Sequence, residues 1–315
     1  MLIIDAARIS DVLSPALLID ALRESFRAPI EVPVRHHHSI PREHGETATL
    51  LLMPAWTQAA AGGYIGIKIA SVFPLNAKRG APSVEASYLL MAGETGTPLA
   101  VMDGRAITLW RTAAASALAA SYLAKPKASR LLVVGAGALA PHLIKAHASA
   151  RPITHVEIWN RDVEKAKLLA EQLDGSLSVK AAPDLQAAVT RAEIISAATL
   201  STEPLIKGAW LQPGAHVDLV GGFTPKMREA DDDCVRRASV FVDTRAGASK
   251  EAGDIVQPLL SGVITDADIK GDLFDLCRGT HKGRGDDAEI TYFKSVGTAI
   301  EDLSAAILVY QRVKK

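Results

Sequence analysis

The chain has 315 residues, 35 Lys plus Arg balanced by 35 Asp plus Glu, and is 48% hydrophobic. That length allows about two domains with sizeable cores, and the zero net charge offers no global field for a nucleic-acid or membrane partner. Two cysteines, Cys234 and Cys277, make neither a disulfide framework nor a C-x-x-C pair, which reads as a reduced, cytoplasmic compartment.

The start, Met-Leu-Ile-Ile-Asp, has no basic leader and no long apolar run, so no signal peptide is expected. Residues 2–4 read as a short strand. Ser14-Pro15 is a helix start, Ser as cap and Pro at the first helical position, and Leu17, Leu18, Ala21, Leu22 and Phe26 give that helix an apolar face. Strand-like segments follow at 32–40, 48–53, 64–72 and 86–91, separated by turn signals at Gly45, at Gly62-Gly63 and over 74–80. His36-His37-His38 is not a metal site, because neighbours on a strand alternate faces, and no metal is expected elsewhere. A turn at 94–98 leads into a strand at 99–102, and Asp103-Gly104-Arg105 leads into a helix. The apolar stretch 107–124 is rich in Ala and broken by Arg111, the pattern of a buried helix and not of a membrane span. Lys68 in its apolar strand and Arg111 on its Ala-rich helix are each either solvent-facing or functional.

Residues 130–161 carry the clearest pattern. The short apolar run 131–134 is that of a strand buried on both faces. Gly135-Ala136-Gly137 follows at once, and from Leu139 the sequence turns helical through Leu143, Ile144, Ala146 and His147. A second strand, 155–159, closes a βαβ unit. Gly135 allows a tight turn, and Gly137 lets the backbone approach a pyrophosphate held at the helix N-terminus. Ala140 stands at the third position of G-x-G-x-x-G and still permits close helix–strand packing. The motif predicts dinucleotide binding by Gly135, Gly137, Ala138 and Leu139; the other reading is a tight βα turn serving a different ligand. An NAD-selective site places Asp or Glu at the end of the second strand. Here stand Asn160 and Arg161. Asn bonds a sugar without repelling phosphate, and Arg forks onto a 2′-phosphate. The pattern favours NADPH, with NADH the other candidate. Asp162 either takes the ribose or caps the next helix, 163–173.

The alternation then continues. Asp184 begins a helix. Strands at 193–197, 215–220 and 239–242 end on Ala198-Thr199, Gly221-Gly222 and Asp243-Thr244. Strands alternating with helices imply a parallel, doubly wound sheet, whose ligand sits at the carboxyl ends of the strands. Gly135, Asn160, Thr199, Gly221 and Asp243 therefore share one rim, and Val220 is a further candidate cofactor contact. The last helix, 296–313, packs back on the first unit. The fold class is α/β: a Rossmann sheet, 116–292, inserted in an α+β domain made of 1–115 plus 293–315.

Six stretches carry a family pattern: Tyr64-Ile65-Gly66-Ile67-Lys68, Gly96-Thr97-Pro98-Leu99-Ala100, Arg111-Thr112-Ala113-Ala114-Ala115-Ser116, Trp159-Asn160-Arg161, Gly221-Gly222 with Arg228-Glu229, and Lys294-Ser295-Val296-Gly297 besides the Gly135-Ala136-Gly137 turn. In them the chain resembles the ornithine cyclodeaminase/mu-crystallin family along nearly its whole length. The resemblance implies a homodimer joined through the non-Rossmann domain, and a substrate carboxylate held by two Arg and one Lys. By motif these are Lys68, Arg111 and Arg35, with Thr112 beside Arg111 and with Arg42 as the rival of Arg35. Lys68 is the catalytic candidate, and Lys294 and Ser295 join the cofactor contacts. Charge-assisted bonds to a carboxylate supply the orientation that hydride transfer needs.

The family's ornithine cyclodeaminases carry an Asp just after the paired small residues, where it handles the amine during ammonia loss. Phe223 stands there in this chain, and Phe cannot take a proton. The resemblance therefore points to reduction of a preformed cyclic imine: Δ1-pyrroline-2-carboxylate to L-proline, as in hydroxyproline catabolism, or the six-membered Δ1-piperideine-2-carboxylate to L-pipecolate. The imine nitrogen arrives protonated, or receives its proton from Lys68, His36 or water. The competing readings are an ornithine cyclodeaminase, a dehydrogenase of linear amino acids and a nucleotide-dependent binding protein.

Overall fold

The computed structural model describes residues 1–43, 46–58, 62–173, 175 and 177–314; the turn expected at Gly45 lies outside them. The chain divides into two compact units, Met1–Arg111 with Thr298–Lys315, and Thr112–Gly297. The division falls after Arg111 and after Gly297, where 115 and 292 were expected. At the second border the reason is a strand: residues 290–294 pair within the parallel sheet and stay with it.

The first unit begins with β1 (Leu2–Ile4), α1 (Ala6–Val12), α2 (Pro15–Arg27), β2 (Ile30–Glu31), β3 (His36–Ile40), β4 (Ala48–Thr57), β5 (Tyr64–Val72), β6 (Val84–Ala92), β7 (Pro98–Asp103) and the start of α3 (Gly104–Leu123). α2 starts behind Ser14 and buries Leu18, Ile19, Leu22 and Phe26. The strand expected over 32–40 is interrupted. Pro33 has no N–H to give a ladder, and residues 32–35 run without regular structure between β2 and β3.

The second unit contains β8 (Arg130–Val134), α4 (Ala140–Ala150), β9 (His155–Trp159), α5 (Val163–Gln172), β10 (Ser178–Ala181), α6 (Leu185–Arg191), β11 (Ile194–Ala197), β12 (His216–Leu219), α7 (Asp232–Arg237), β13 (Ala238–Val242), α8 (Arg245–Glu251), α9 (Gly253–Leu260), β14 (Ile269–Asp272), α10 (Leu273–Arg278) and β15 (Ile290–Lys294). Its strands lie in the order β10-β9-β8-β11-β12-β15-β13-β14, every pair parallel. Both faces are buried. Leu131 and Val133 of β8 join a core with Ile144 and Val156, while Leu132 and Val134 join another with Val189 and Val217. Burial on both sides is what a short, unbroken apolar strand requires. The order reverses at β8, with β9 on one side and β11 on the other, which makes the carboxyl ends of β8 and β11 the ligand crevice of this kind of sheet.

The chain then returns to the first unit with α11 (Ala299–Val313). Its sheet has the order β1-β7-β6-β5-β4-β2, with β3 also on β4. α11 packs on β4, β5 and β6, and α1 and α2 pack against α11. The face beneath α11 buries Met53, Ala55, Lys68, Tyr88, Leu90 and Met102. The opposite face carries Trp56 beside Ile65, Leu52 beside Ile69, and Ile67 beside Leu89; these six are half-buried or exposed. No helix among the described residues is long and apolar enough to cross a membrane.

Candidate functional site

In the second unit the turn after β8 has the geometry a phosphate needs. Gly135 sits at φ +110°, and a Cβ there would lie 2.8 Å from the Ala198 carbonyl oxygen, so only glycine lets the ends of β8 and β11 approach so closely. A Cβ on Gly137 would meet nothing within 4 Å: the space above it is open. The N–H groups of Gly137, Ala138 and Leu139 make no hydrogen bond among the described residues. They precede α4, whose N-cap Leu139 offers no side-chain cap. Open donors at the positive end of a helix fit a pyrophosphate. Ala140 is buried in the core beneath this turn.

At the end of β9, Asn160 Oδ1 accepts the Ala136 N–H at 3.3 Å, and its Nδ2 donates to the Asp162 carbonyl at 2.9 Å. Asn160 thus ties the glycine turn to the next strand. Asp162 caps α5, accepting the Glu164 N–H at 3.2 Å, so of the two roles open to it the structure has the cap. Arg161 is exposed and makes no hydrogen bond or ion pair among the described residues.

The rim beyond β11 and β12 is held by one buried carboxylate. Glu229 Oε1 accepts the Thr199 N–H at 2.7 Å and the Thr199 hydroxyl at 2.8 Å, and its Oε2 accepts the N–H of Gly221 at 2.8 Å and of Gly222 at 3.3 Å. The two strand ends are drawn so close that a Cβ on Gly221 would lie 1.9 Å from the Thr199 carbonyl oxygen. Asp254 Oδ1 in turn accepts the N–H groups of Glu229 and Ala230 at 2.7 and 3.1 Å. Lys294 Nζ stands 3.2 Å from Asp254 Oδ2 and 3.9 Å from Glu229 Oε2, all three side chains fully buried. Lys294, expected among the cofactor contacts, has its ammonium buried beside these two carboxylates, as a buried cation needs its counter-charges. Ser295 follows it, buried, with its N–H on the Leu219 carbonyl at 3.1 Å. Val220 is 8% exposed. Phe223 is exposed at 39%, just past the clamped strand end.

A different cluster lies in the first unit. Lys68 on β5 is 4% exposed; its Nζ is 2.8 Å from Asp302 Oδ2, donates to Asp302 Oδ1 at 3.0 Å and reaches Thr108 Oγ1 at 3.5 Å. Arg111 on α3 is 5% exposed; its Nε donates to Asp302 Oδ1 at 3.0 Å and its Nη1 to Glu301 Oε2 at 2.7 Å. Both sequence-predicted cations are therefore buried, not solvent-facing, and one carboxylate joins them. Burial pulls the Lys68 amine down to about 8, with Asp302 pulling the other way. Burial pushes Asp302 up, yet Lys68, Arg111 and Arg35 outweigh it and hold the carboxyl below its usual range. Arg35 is half-buried, and its charge bears on both Lys68 and Asp302. Its rival Arg42 stacks over the Phe73 ring at 5.3 Å. Thr112, next to Arg111 on α3, is buried. His36 pairs with Leu52, whereas Lys68 pairs with Met53; adjacent residues of β4 face opposite ways, so His36 lies on the face away from Lys68.

Sequence reasoning missed Glu301, Asp302 and Asp254. The signal was present for the first two: adjacent carboxylates inside an apolar helix, Ala-Ile-Glu-Asp-Leu-Ser-Ala-Ala-Ile-Leu, must find cations once buried.

A doubly wound parallel sheet with a glycine turn at its switch point, joined in one chain to an α+β unit holding a buried cation cluster, defines a two-domain protein of the dinucleotide-binding class. The chain belongs to the ornithine cyclodeaminase/mu-crystallin family, whose model matches residues 3–315. It is 40% identical to a Δ1-pyrroline-2-carboxylate reductase of Paracoccus denitrificans over 293 residues, 90% of this chain and 92% of the relative. Among solved structures it is similar to the Thermococcus litoralis Δ1-pyrroline-2-carboxylate reductase in complex with NADH and L-proline, with a TM-score of 0.93, 33% identity, and cover of 100% of this chain and 98% of the other. It is also similar to an archaeal alanine dehydrogenase dimer with bound NAD, with a TM-score of 0.91, 29% identity, and cover of 100% and 96%.

Proposed function

We propose that this protein reduces a cyclic imine carboxylate with a nicotinamide cofactor, turning Δ1-pyrroline-2-carboxylate into L-proline and Δ1-piperideine-2-carboxylate into L-pipecolate. The observation that carries this reading is the charge of the buried cluster. Lys68 and Arg111 are both buried and meet at Asp302, Arg111 also pairs with Glu301, and the charge of Arg35 bears on Lys68 and Asp302. A substrate carboxylate is received by these cations through charge-assisted bonds that also orient the ring. The cofactor, when bound, would supply the hydride; Gly137, Ala138 and Leu139 would hold its pyrophosphate, and Thr199, Val220 and Ser295 at the strand ends would be among its further contacts. Phe223 offers an apolar surface and no group to take a proton from an amine, which fits reduction of a ready-made imine. Relatives of both kinds named above act on this substrate or carry L-proline.

The preferred cofactor is NADPH. Arg161 is exposed and uncommitted, and Asp162 is spent on its cap, so a 2′-phosphate meets a cation there and no opposing carboxylate. The protein works as a homodimer in the cytoplasm. The uncovered apolar face of Trp56, Ile65, Ile67, Ile69 and Leu89 supports a partner there, as does the dimer of the alanine dehydrogenase.

The test follows absorbance of NADPH and of NADH with Δ1-pyrroline-2-carboxylate, alongside ammonia release from L-ornithine. Faster loss of NADPH without ammonia is the expected result. Ammonia release would make the protein a cyclodeaminase.

A further inference from the structure

Asp302 stands at the centre of the cation cluster and had no place in the family pattern that led to Lys68 and Arg111. Both of its oxygens face Lys68 Nζ, at 2.8 and 3.0 Å, and Oδ1 also accepts Arg111 Nε at 3.0 Å. The carboxylate is fully buried, on a helix turn that Leu303 presses against Gly66 of β5: a Cβ on Gly66 would lie 2.9 Å from Leu303 Cδ1 and 1.9 Å from the Tyr88 hydroxyl. Gly66 is therefore what lets α11 and Tyr88 sit so close beside Lys68, and Tyr88 is paired with Lys68 directly across the ladder.

We propose that Asp302 is the positioning residue of this site, one buried carboxylate that orients Lys68 and Arg111 together and keeps Lys68 charged as the acid that protonates the imine nitrogen. The inference rests on the imine-reductase reading above. In the step, hydride reaches C2, the C=N π pair moves onto nitrogen, and that pair takes a proton from Lys68 Nζ; the neutral amine is recharged from water. Lys68 has three donors; Asp302 and Thr108 are partners for two, and one remains for the substrate. His36, on the far face of the sheet, is out of this step. The charged and titratable groups around Asp302 are Lys68 on β5, Tyr88 on β6, Arg111 on α3, Glu301 beside it on α11, and Arg35 ahead of β3. The Lys68 amine, at about 8, loses its proton within reach of physiological pH, so the carboxylate that favours its charged form governs the alkaline limit.

The experiment compares pH profiles of kcat/KM for Δ1-pyrroline-2-carboxylate in the wild type, Asp302→Asn and Glu301→Gln, and follows Lys68 directly by NMR of lysine labelled with 15N at Nζ, assigned with Lys68→Arg. Loss of the Asp302 charge moves the alkaline limb and the Lys68 titration to lower pH by about one unit and lowers kcat about tenfold or more. Glu301→Gln, which alters the Arg111 pairing, raises KM and leaves the alkaline limb in place. An unmoved Lys68 titration in Asp302→Asn overturns the proposal. If Asp302→Asn does not fold, Asp302→Ser replaces it, removing the charge with less bulk; a Lys68 titration equal to wild type would then overturn the proposal. If the wild type reduces no cyclic imine, the function reading fails, while the NMR titration still decides whether Asp302 governs Lys68.

Discussion

Each unit buries a lysine beside a carboxylate, and what else surrounds that pair separates a ligand site from a structural clamp. In the nucleotide-binding unit Lys294 faces Glu229 and Asp254, and burial pushes the Glu229 carboxyl up. The backbone serves both carboxylates: N–H groups of Thr199, Gly221, Gly222, Glu229 and Ala230 all point at them. In the α+β unit Lys68 and Arg111 share Asp302, Arg111 also pairs with Glu301, and the charge of Arg35 bears on Lys68 and Asp302. Carboxylates bound by backbone N–H groups hold strand ends together. Side-chain cations gathered on one carboxylate are the groups that receive a substrate carboxylate in the function proposed above.

Breaking the cation cluster has the largest expected effect. Lys68→Ala and Arg111→Ala lower kcat/KM for the cyclic imine about a hundredfold or more, while NADPH binding, followed by fluorescence titration, stays near wild type. Equal kinetics in both variants would remove the site. Breaking the clamp acts on stability instead. Glu229→Ala leaves Lys294 and several N–H groups unpaired in the core, at a cost of about 3–5 kcal/mol in urea unfolding, and an unchanged midpoint would mean the rim does not depend on that carboxylate. A smaller effect sharpens the cofactor side. Arg161→Ala raises KM for NADPH about tenfold with NADH unaffected; equal changes for both would assign Arg161 no part in the 2′-phosphate.

The gentlest effect comes from the core of the nucleotide-binding unit. Asp218 accepts the Ser196 and Ser116 hydroxyls at 2.6 and 2.9 Å and lies 3.2 Å from His147 Nε2. His216 beside it bonds Thr291 at 3.0 Å, and burial pulls its imidazole down to about 3, against the pull of Asp218. An unfolded histidine takes its proton near 6.5, so between about 6.5 and 3 the unfolded chain binds a proton that the folded one refuses, and stability falls as pH falls. Asp218 is pushed up by burial but held below its usual range by His147 and Ser196, which extends the loss at the acid end. Thermal melts should therefore be level near neutrality and decline steadily below about pH 6.5. A melting temperature unchanged down to pH 4 would contradict this.

The local parts of this molecule were legible. The apolar run before Gly135, the turn and the helix after it are set by neighbours in sequence, and β5 runs over the predicted 64–72. β2 and β3 were harder, because Pro33 breaks a stretch that otherwise reads as one strand. β15 was illegible as part of the parallel sheet: it pairs with β12 and β13, but β13, β14 and four α-helices lie between β12 and it in the chain. Lys68 and Arg111 were readable as a pair of cations, but their shared partner lies 234 and 191 positions away, a distance that no local pattern spans. For the same reason the carboxylates beside Lys294, Asp254 and Glu229, were not legible from its own stretch of sequence.

The most direct test of the cation cluster as a carboxylate site is calorimetric binding of L-proline and of L-prolinamide to the NADP-loaded protein. The two differ at one group, the carboxylate. The account predicts that L-proline binds, that L-prolinamide does not, and that Arg111→Ala abolishes the difference. Equal binding of both to the wild type would contradict it, because the buried cations would then be doing something other than receiving a carboxylate.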